Sequence, residues 1–171
     1  INFTAEYRDR GRTNRAGPDP RDQIVVGDAG RNAVAQPSHW VGDAETTDYL
    51  TFVNFQVPAG DASFVYAFGG YSQRDGVAPG FYRRALQFTQ NWPQIYPIGF
   101  LPLINTGIAD SSGTLGARGT RSDWNWDVSL QGGRNSMDFN ITNTLNASLG
   151  PTSKTEFYAG TFVGDQVLGN L

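Results

Sequence analysis

From Trp124 the chain alternates for eight residues without a fault. Trp124, Trp126, Val128 and Leu130 share one parity, and Asn125, Asp127, Ser129 and Gln131 the other. A period of two is that of a half-buried strand. After Gly132-Gly133 the alternation resumes as Met137, Phe139 and Ile141 against Asp138, Asn140 and Thr142, so the apolar parity has switched from even to odd. Two glycines between alternating runs read either as a two-residue hairpin or as a bulge inside one long strand, since both devices change parity. The hairpin sets Asp127 opposite Asp138, which is unfavourable.

Further runs with the same period flank this one. Ile1, Phe3, Ala5 and Tyr7 alternate with Asn2, Thr4, Glu6 and Arg8, predicting a strand over 1–10. Strands over 48–57 and 62–72 are separated by Pro58-Ala59-Gly60-Asp61, a turn composition, and form a hairpin. A short strand is expected over 114–119, a turn over 120–123, and a last strand over about 155–171. Between them lie long connections at 11–45, 73–113 and 142–154. Short turns thus alternate with long loops. The pattern predicts a single all-β domain over 1–171, an antiparallel meander of about six to eight strands, with a small β-sandwich as the alternative. Phe64, Tyr66, Phe68, Trp124, Trp126 and Val128 are expected to form one apolar face of the sheet.

Composition narrows the function classes. The formal net charge is −3, which argues against nucleic-acid binding by bulk attraction. There is no cysteine, so neither a disulfide framework nor a thiolate metal site exists. No run of 18 apolar residues is present to form a membrane-spanning helix, whereas a membrane-spanning strand would leave only a weak alternating trace. The chain opens at Ile1 without a charged-then-apolar leader, so any signal peptide is expected to have been removed already.

Phrases along the chain, RTNRAGPDPR at 12–21, GFYRRALQF at 80–88, IYPIGFLPLI at 95–104 and GRNSMDFNITNTLNASLGPTSKTEFYAG from Gly133, resemble a barrel segment of TonB-dependent receptors, the plugged β-barrel transporters of Gram-negative outer membranes. The resemblance implies an outer-membrane location and a part in active uptake of siderophores, cobalamin or glycans. It also favours the long-strand reading of Gly132-Gly133. The family's N-terminal plug and its partner-contacting box have no counterpart here, and a family barrel has roughly 22 strands. A piece of such a receptor is one expectation. The other is a stand-alone, non-catalytic β-subunit derived from such a segment, packing on the extramembrane or periplasmic face of a larger membrane complex. That alternative makes other protein subunits, and a membrane nearby, the expected partners.

Candidate chemistry is sparse. His39 is the sole histidine, and beside Trp40 in a loop it reads as ordinary surface rather than as a metal ligand. No catalytic triad, phosphate loop or metal cage is expected, so no cofactor is implied and the chain reads as a non-enzyme. Six arginines lie between Arg8 and Arg31, interleaved with Asp9, Asp19, Asp22 and Asp28. They read as a charge-balanced loop or as a receiver for a carboxylate-bearing ligand. The best binding candidates are Phe81, Tyr82, Arg83 and Arg84 with Trp92 and Tyr96, where aromatics beside arginines suit a ligand or a protein. The competing reading is a loop that packs on itself.

Overall fold

The computed structural model describes residues 1–28 and 33–171. Six strands follow one another: β1 (Asn2–Arg10), β2 (Glu45–Pro58), β3 (Ser63–Pro79), β4 (Leu103–Arg121), β5 (Trp124–Thr142) and β6 (Phe157–Asn170). They form one antiparallel sheet in the order β1-β2-β3-β4-β5-β6, a plain meander. A short 3₁₀ segment, Ala147–Thr152, kinked at Gly150, is the one helical element among the described residues.

The sheet is open. β1 pairs with β2 and β6 with β5, and neither edge strand pairs with the other. The barrel wall implied by the resemblance is therefore corrected to an open six-stranded sheet, and the sandwich alternative is corrected with it, since the described residues form one layer of strands. With the barrel go the transport function and the outer-membrane location that rested on it. No helix among the described residues is long and apolar enough to cross a membrane.

Two tight turns close one end of the sheet. The first, between β2 and β3, has Gly60 at φ +105° and is tied by Ala59 N–H donating to the Ser63 carbonyl at 2.8 Å. The second is only Ser122-Asp123, with Ser122 at φ +54°. All long connections, 11–44, 80–102 and 143–156, gather at the other end. The strands run well past their expected limits into residues 73–79 and 103–113, so the middle loop is much shorter than the 73–113 expected.

Register fixes what each face carries. Directly opposed residues point to the same side of a sheet and successive residues to opposite sides. Val65, Ala117 and Val128 are opposed across β3, β4 and β5, and so are Tyr66, Gly116 and Ser129. Face A therefore carries Val65, Trp124, Trp126 and Val128, and face B carries Phe64, Tyr66 and Phe68. The six residues expected on one apolar face are split three and three, although Trp124 and Trp126 do share a side.

β5 passes through Gly132-Gly133 as one strand, and its ladder with β4 is unbroken there, Gly113 facing Gly132 and Ser112 facing Gly133. No bulge exists at these glycines. The apolar parity changes because the useful face changes. Along β5 the apolar residues near the tight turn are on face A, whereas near the long loops Met137, Phe139 and Ile141 lie on face B, with Phe139 edge-on to Phe162 at 5.9 Å.

Candidate interaction surfaces

Face A carries an apolar belt at the tight-turn end, with Arg121, directly opposite Trp124, as the charged residue at its margin. It is built by Val53, Phe55 and Val57 of β2, Val65 and Ala67 of β3, Leu115 and Ala117 of β4, Trp124, Trp126, Val128 and Leu130 of β5 and Val167 of β6. Much of it is wet: Trp124 is 79% exposed, Leu130 61%, Leu115 60% and Val167 75%. With ~150–250 Å² available on each aromatic side chain, the exposed fractions of this belt sum to on the order of 1,000 Å². Ordinary monomers expose contiguous apolar patches of only a few hundred Å². Across the upper margin of the belt Gly69, Gly113 and Gly132 stand in one row on three neighbouring strands. Missing side chains there leave a furrow bordered by Phe55, Leu115 and Leu130.

Face B carries a different surface. Its middle is a trough of about 790 Å³ that crosses all six strands. Small residues, Gly70, Ser72, Ser112 and Gly133, make its floor, and Glu6, Asp110 and Asn135 supply polar groups. Below it Phe52, Phe68 and Tyr66 form a ladder with ring centres 6.5 and 6.3 Å apart. Above it Asp48, 2% exposed, is held by Arg8 and Arg74, and the Arg74 hydrogen bond is the chief reason its carboxyl lies below the usual range.

The long loops pack mainly against one another. Leu86 N–H donates to the Gln23 carbonyl at 3.2 Å, which joins the first loop to the second. Trp92 Nε1–H donates to the Ala147 carbonyl at 2.8 Å and the Tyr96 hydroxyl to that of Thr144 at 3.3 Å, which joins the second to the third. Tyr96 stacks on buried Phe100 with ring centres 4.4 Å apart. In the first loop Asp19, 3% exposed, accepts from Arg21 Nη2 at 2.7 Å and Nε at 2.9 Å, and this arginine holds its carboxyl far below the ordinary range.

The residues singled out in the second loop are thus brought together, chiefly as loop structure. Arg83 exchanges two backbone hydrogen bonds with Phe100, at 2.8 and 2.9 Å, and its side chain donates to Gln90 Oε1. Arg84 Nη1 donates to the Asp22 carbonyl. The Tyr82 hydroxyl donates to the Ile98 carbonyl at 2.7 Å, and burial pushes its pKa up. Of this group Phe81 alone is largely exposed, at 83%. Gly99, at φ +92°, closes the arrangement, because a Cβ there would lie 2.3 Å from the Arg83 carbonyl oxygen.

Sequence reading missed the Arg8–Asp48–Arg74 row and the face B trough. A turn centred on 58–61 would pair residues 57 and 62, whereas the ladder pairs Val57 with Val65. That slip hides which residues meet across β2 and β3. No group of three or more His, Asp or Glu among the described residues could hold a metal ion. No protein-family model matches the sequence, and neither characterised proteins nor solved structures yield a match. The TonB-dependent receptor resemblance is therefore without support from any of these comparisons.

Proposed function

We propose that the chain is a non-catalytic β-subunit that docks through face A onto an apolar protein surface of a larger assembly, such as the extramembrane part of a membrane complex. The observation that carries this reading is the exposed apolar belt of face A, which has one arginine, Arg121, at its margin. Its exposed apolar area, on the order of 1,000 Å², exceeds the ~800 Å² that each partner contributes to a standard interface. At ~25 cal/mol per Å², covering it is worth many kcal/mol before the costs of association are subtracted. The furrow at Gly69, Gly113 and Gly132 offers a place for a partner's protruding side chains. The outer edges of β1 and β6 add backbone donors and acceptors that a partner strand would satisfy. A protein surface supplies both kinds of cover, whereas hydrocarbon satisfies no open edge.

The test is cross-linking and mass spectrometry of the chain in its native setting, with Leu115→Glu/Leu130→Glu on face A and Asn54→Glu on face B as control. Stoichiometric cross-links that map to face A, abolished by the first variant and retained in the second, support the proposal. A cooperatively folded monomer with no such cross-links, or binding to lipid vesicles alone, overturns it.

A further inference from the structure

Most of the arginines near the start of the chain are engaged locally. Arg12 lies over the Trp40 ring at 4.0 Å, Arg21 grips Asp19, and Arg10 stands 3.7 Å from Asp43. Arg31 lies outside the described residues. Arg8 is placed differently. It is directly opposite Asp48, which is directly opposite Arg74, so the three make one row on face B. Asp48 uses one carboxylate oxygen for Arg8 Nε–H, at 3.0 Å, and the other for Arg74 Nε–H.

The consequence is a pair of guanidiniums oriented by one buried carboxylate. Only their Nε atoms are engaged; among the described residues the Nη groups of Arg8 and Arg74 have no hydrogen-bond partner. The side chains are half exposed, at 52% and 46%. The row carries a net charge of +1, two arginines against one aspartate. The next row along the strands, Glu6, Leu50 and Ser72, is already the wall of the trough.

We propose that Arg8 and Arg74 receive the carboxylate of a small hydroxy- or amino-carboxylate, with Asp48 as the positioning residue. Free Nη donors on two guanidiniums suit a planar oxyanion, and Asp48 has ordered both side chains before any ligand arrives. The trough has the size of a small-molecule site. Its acids select the rest of the ligand. Glu6, which has no partner among the described residues, and Asp110 repel a second anion and accept from hydroxyl or ammonium groups. This site is on face B and does not depend on docking through face A.

The test is titration of the ¹⁵N-labelled full chain, with the Nε–Hε signals of Arg8 and Arg74 followed on adding glycerate, inorganic phosphate or glycerol. Glycerate is expected to move both signals saturably. Arg8→Ala and Arg74→Ala each weaken glycerate binding at least tenfold, Arg74→Lys does not restore it, and Arg15→Ala leaves it unchanged. Should the alanine variants fail to fold, the wild-type titration decides by itself. No saturable shift with glycerate overturns the proposal. Glycerol acting as well as glycerate overturns the role of the arginines, and phosphate binding as tightly as glycerate overturns the carboxylate assignment.

Discussion

The Tyr66 hydroxyl on β3 donates to Asp127 Oδ1 on β5 at 2.7 Å, reaching over Gly116 of the intervening strand. A Cβ at Gly116 would stand 2.3 Å from Cζ of the Tyr66 ring, so the ring lies flat only because the backbone beneath it is bare. Arg118 sits 5.6 Å from the ring centre and adds a cation over its face. Gly116→Ala lifts the ring and breaks its hydrogen bond; Tyr66→Phe removes the hydrogen bond alone. Each is expected to lower the melting temperature by roughly 2–4 °C. Because both act on one contact, the double variant falls no further than the worse single one. Thermal melts of the three variants check this, and fully additive losses would refute the overlay.

Two groups set the response to pH on this face, with opposite signs. The Asp48 carboxyl is held below its ordinary value of 3.8 mainly by Arg74. Its contribution is present above about pH 4 and is lost as pH falls through the lower folded-state value. The Tyr66 phenol is raised above 10.0, first by its hydrogen bond to Asp127. Its contribution is present below about pH 10 and is lost as pH rises through the higher folded-state value. Denaturant midpoints measured across pH should show Asp48→Asn flattening the acid limb and Tyr66→Phe flattening the alkaline limb. Unchanged limbs in both variants would count against these pairings.

The three long loops behave as one cap because a few side chains cross between them. Trp92→Phe keeps an aromatic ring, though a smaller one, and deletes the indole N–H that donates to the Ala147 carbonyl. A loss of about 1 kcal/mol is expected, the net worth of a neutral hydrogen bond. Hydrogen exchange should accelerate within 143–156 while the β2–β3 ladder stays protected. Faster exchange everywhere would show that the cap and sheet are not separable units.

Strand existence and order were legible in the sequence, and strand limits and register were not. The run from Trp124 alternates against solvent on face B and an uncovered apolar belt on face A, so it reads cleanly. Residues 103–113 are in β4, yet Asn105, Asp110, Ser111 and Ser112 are polar on both parities, and nothing marks them as strand. The parity change at Gly132-Gly133 was visible, but its cause was not. It reflects a change in which face is apolar along a sheet whose longest strands have 19 residues, and no local reading of two glycines contains that. The mistaken union of Phe64 with Trp124 has the same root. Two ladders and the length of β4 decide whether these residues share a side, and the sequence states neither. For the loop residues, Tyr82, Arg83 and Arg84 were legible as a cluster, but their hydrogen bonds to Ile98, Phe100 and Asp22 depend on how three separate loops meet.

Gly132 offers a test in which stability and docking move in opposite directions. It lies on face A in the row with Gly69 and Gly113, and a Cβ added to it meets nothing within 4 Å. Gly113 is equally open, whereas a Cβ on Gly69 would stand 2.6 Å from the Ser112 carbonyl oxygen and strain the ladder. Glycine inside a strand costs conformational entropy, and a β-branched residue suits an extended, half-exposed position. Gly132→Val is therefore expected to stabilise the isolated chain by about 0.5–1 kcal/mol. If the furrow receives a partner's side chain, the same valine fills the space that the side chain needs. Affinity for the partner then falls while the denaturant midpoint rises, an outcome that general destabilisation cannot mimic. Gly113→Val should behave alike, and Gly69→Val should lose on both counts. Undiminished partner binding by a stabilised Gly132→Val chain would show that docking does not use the furrow.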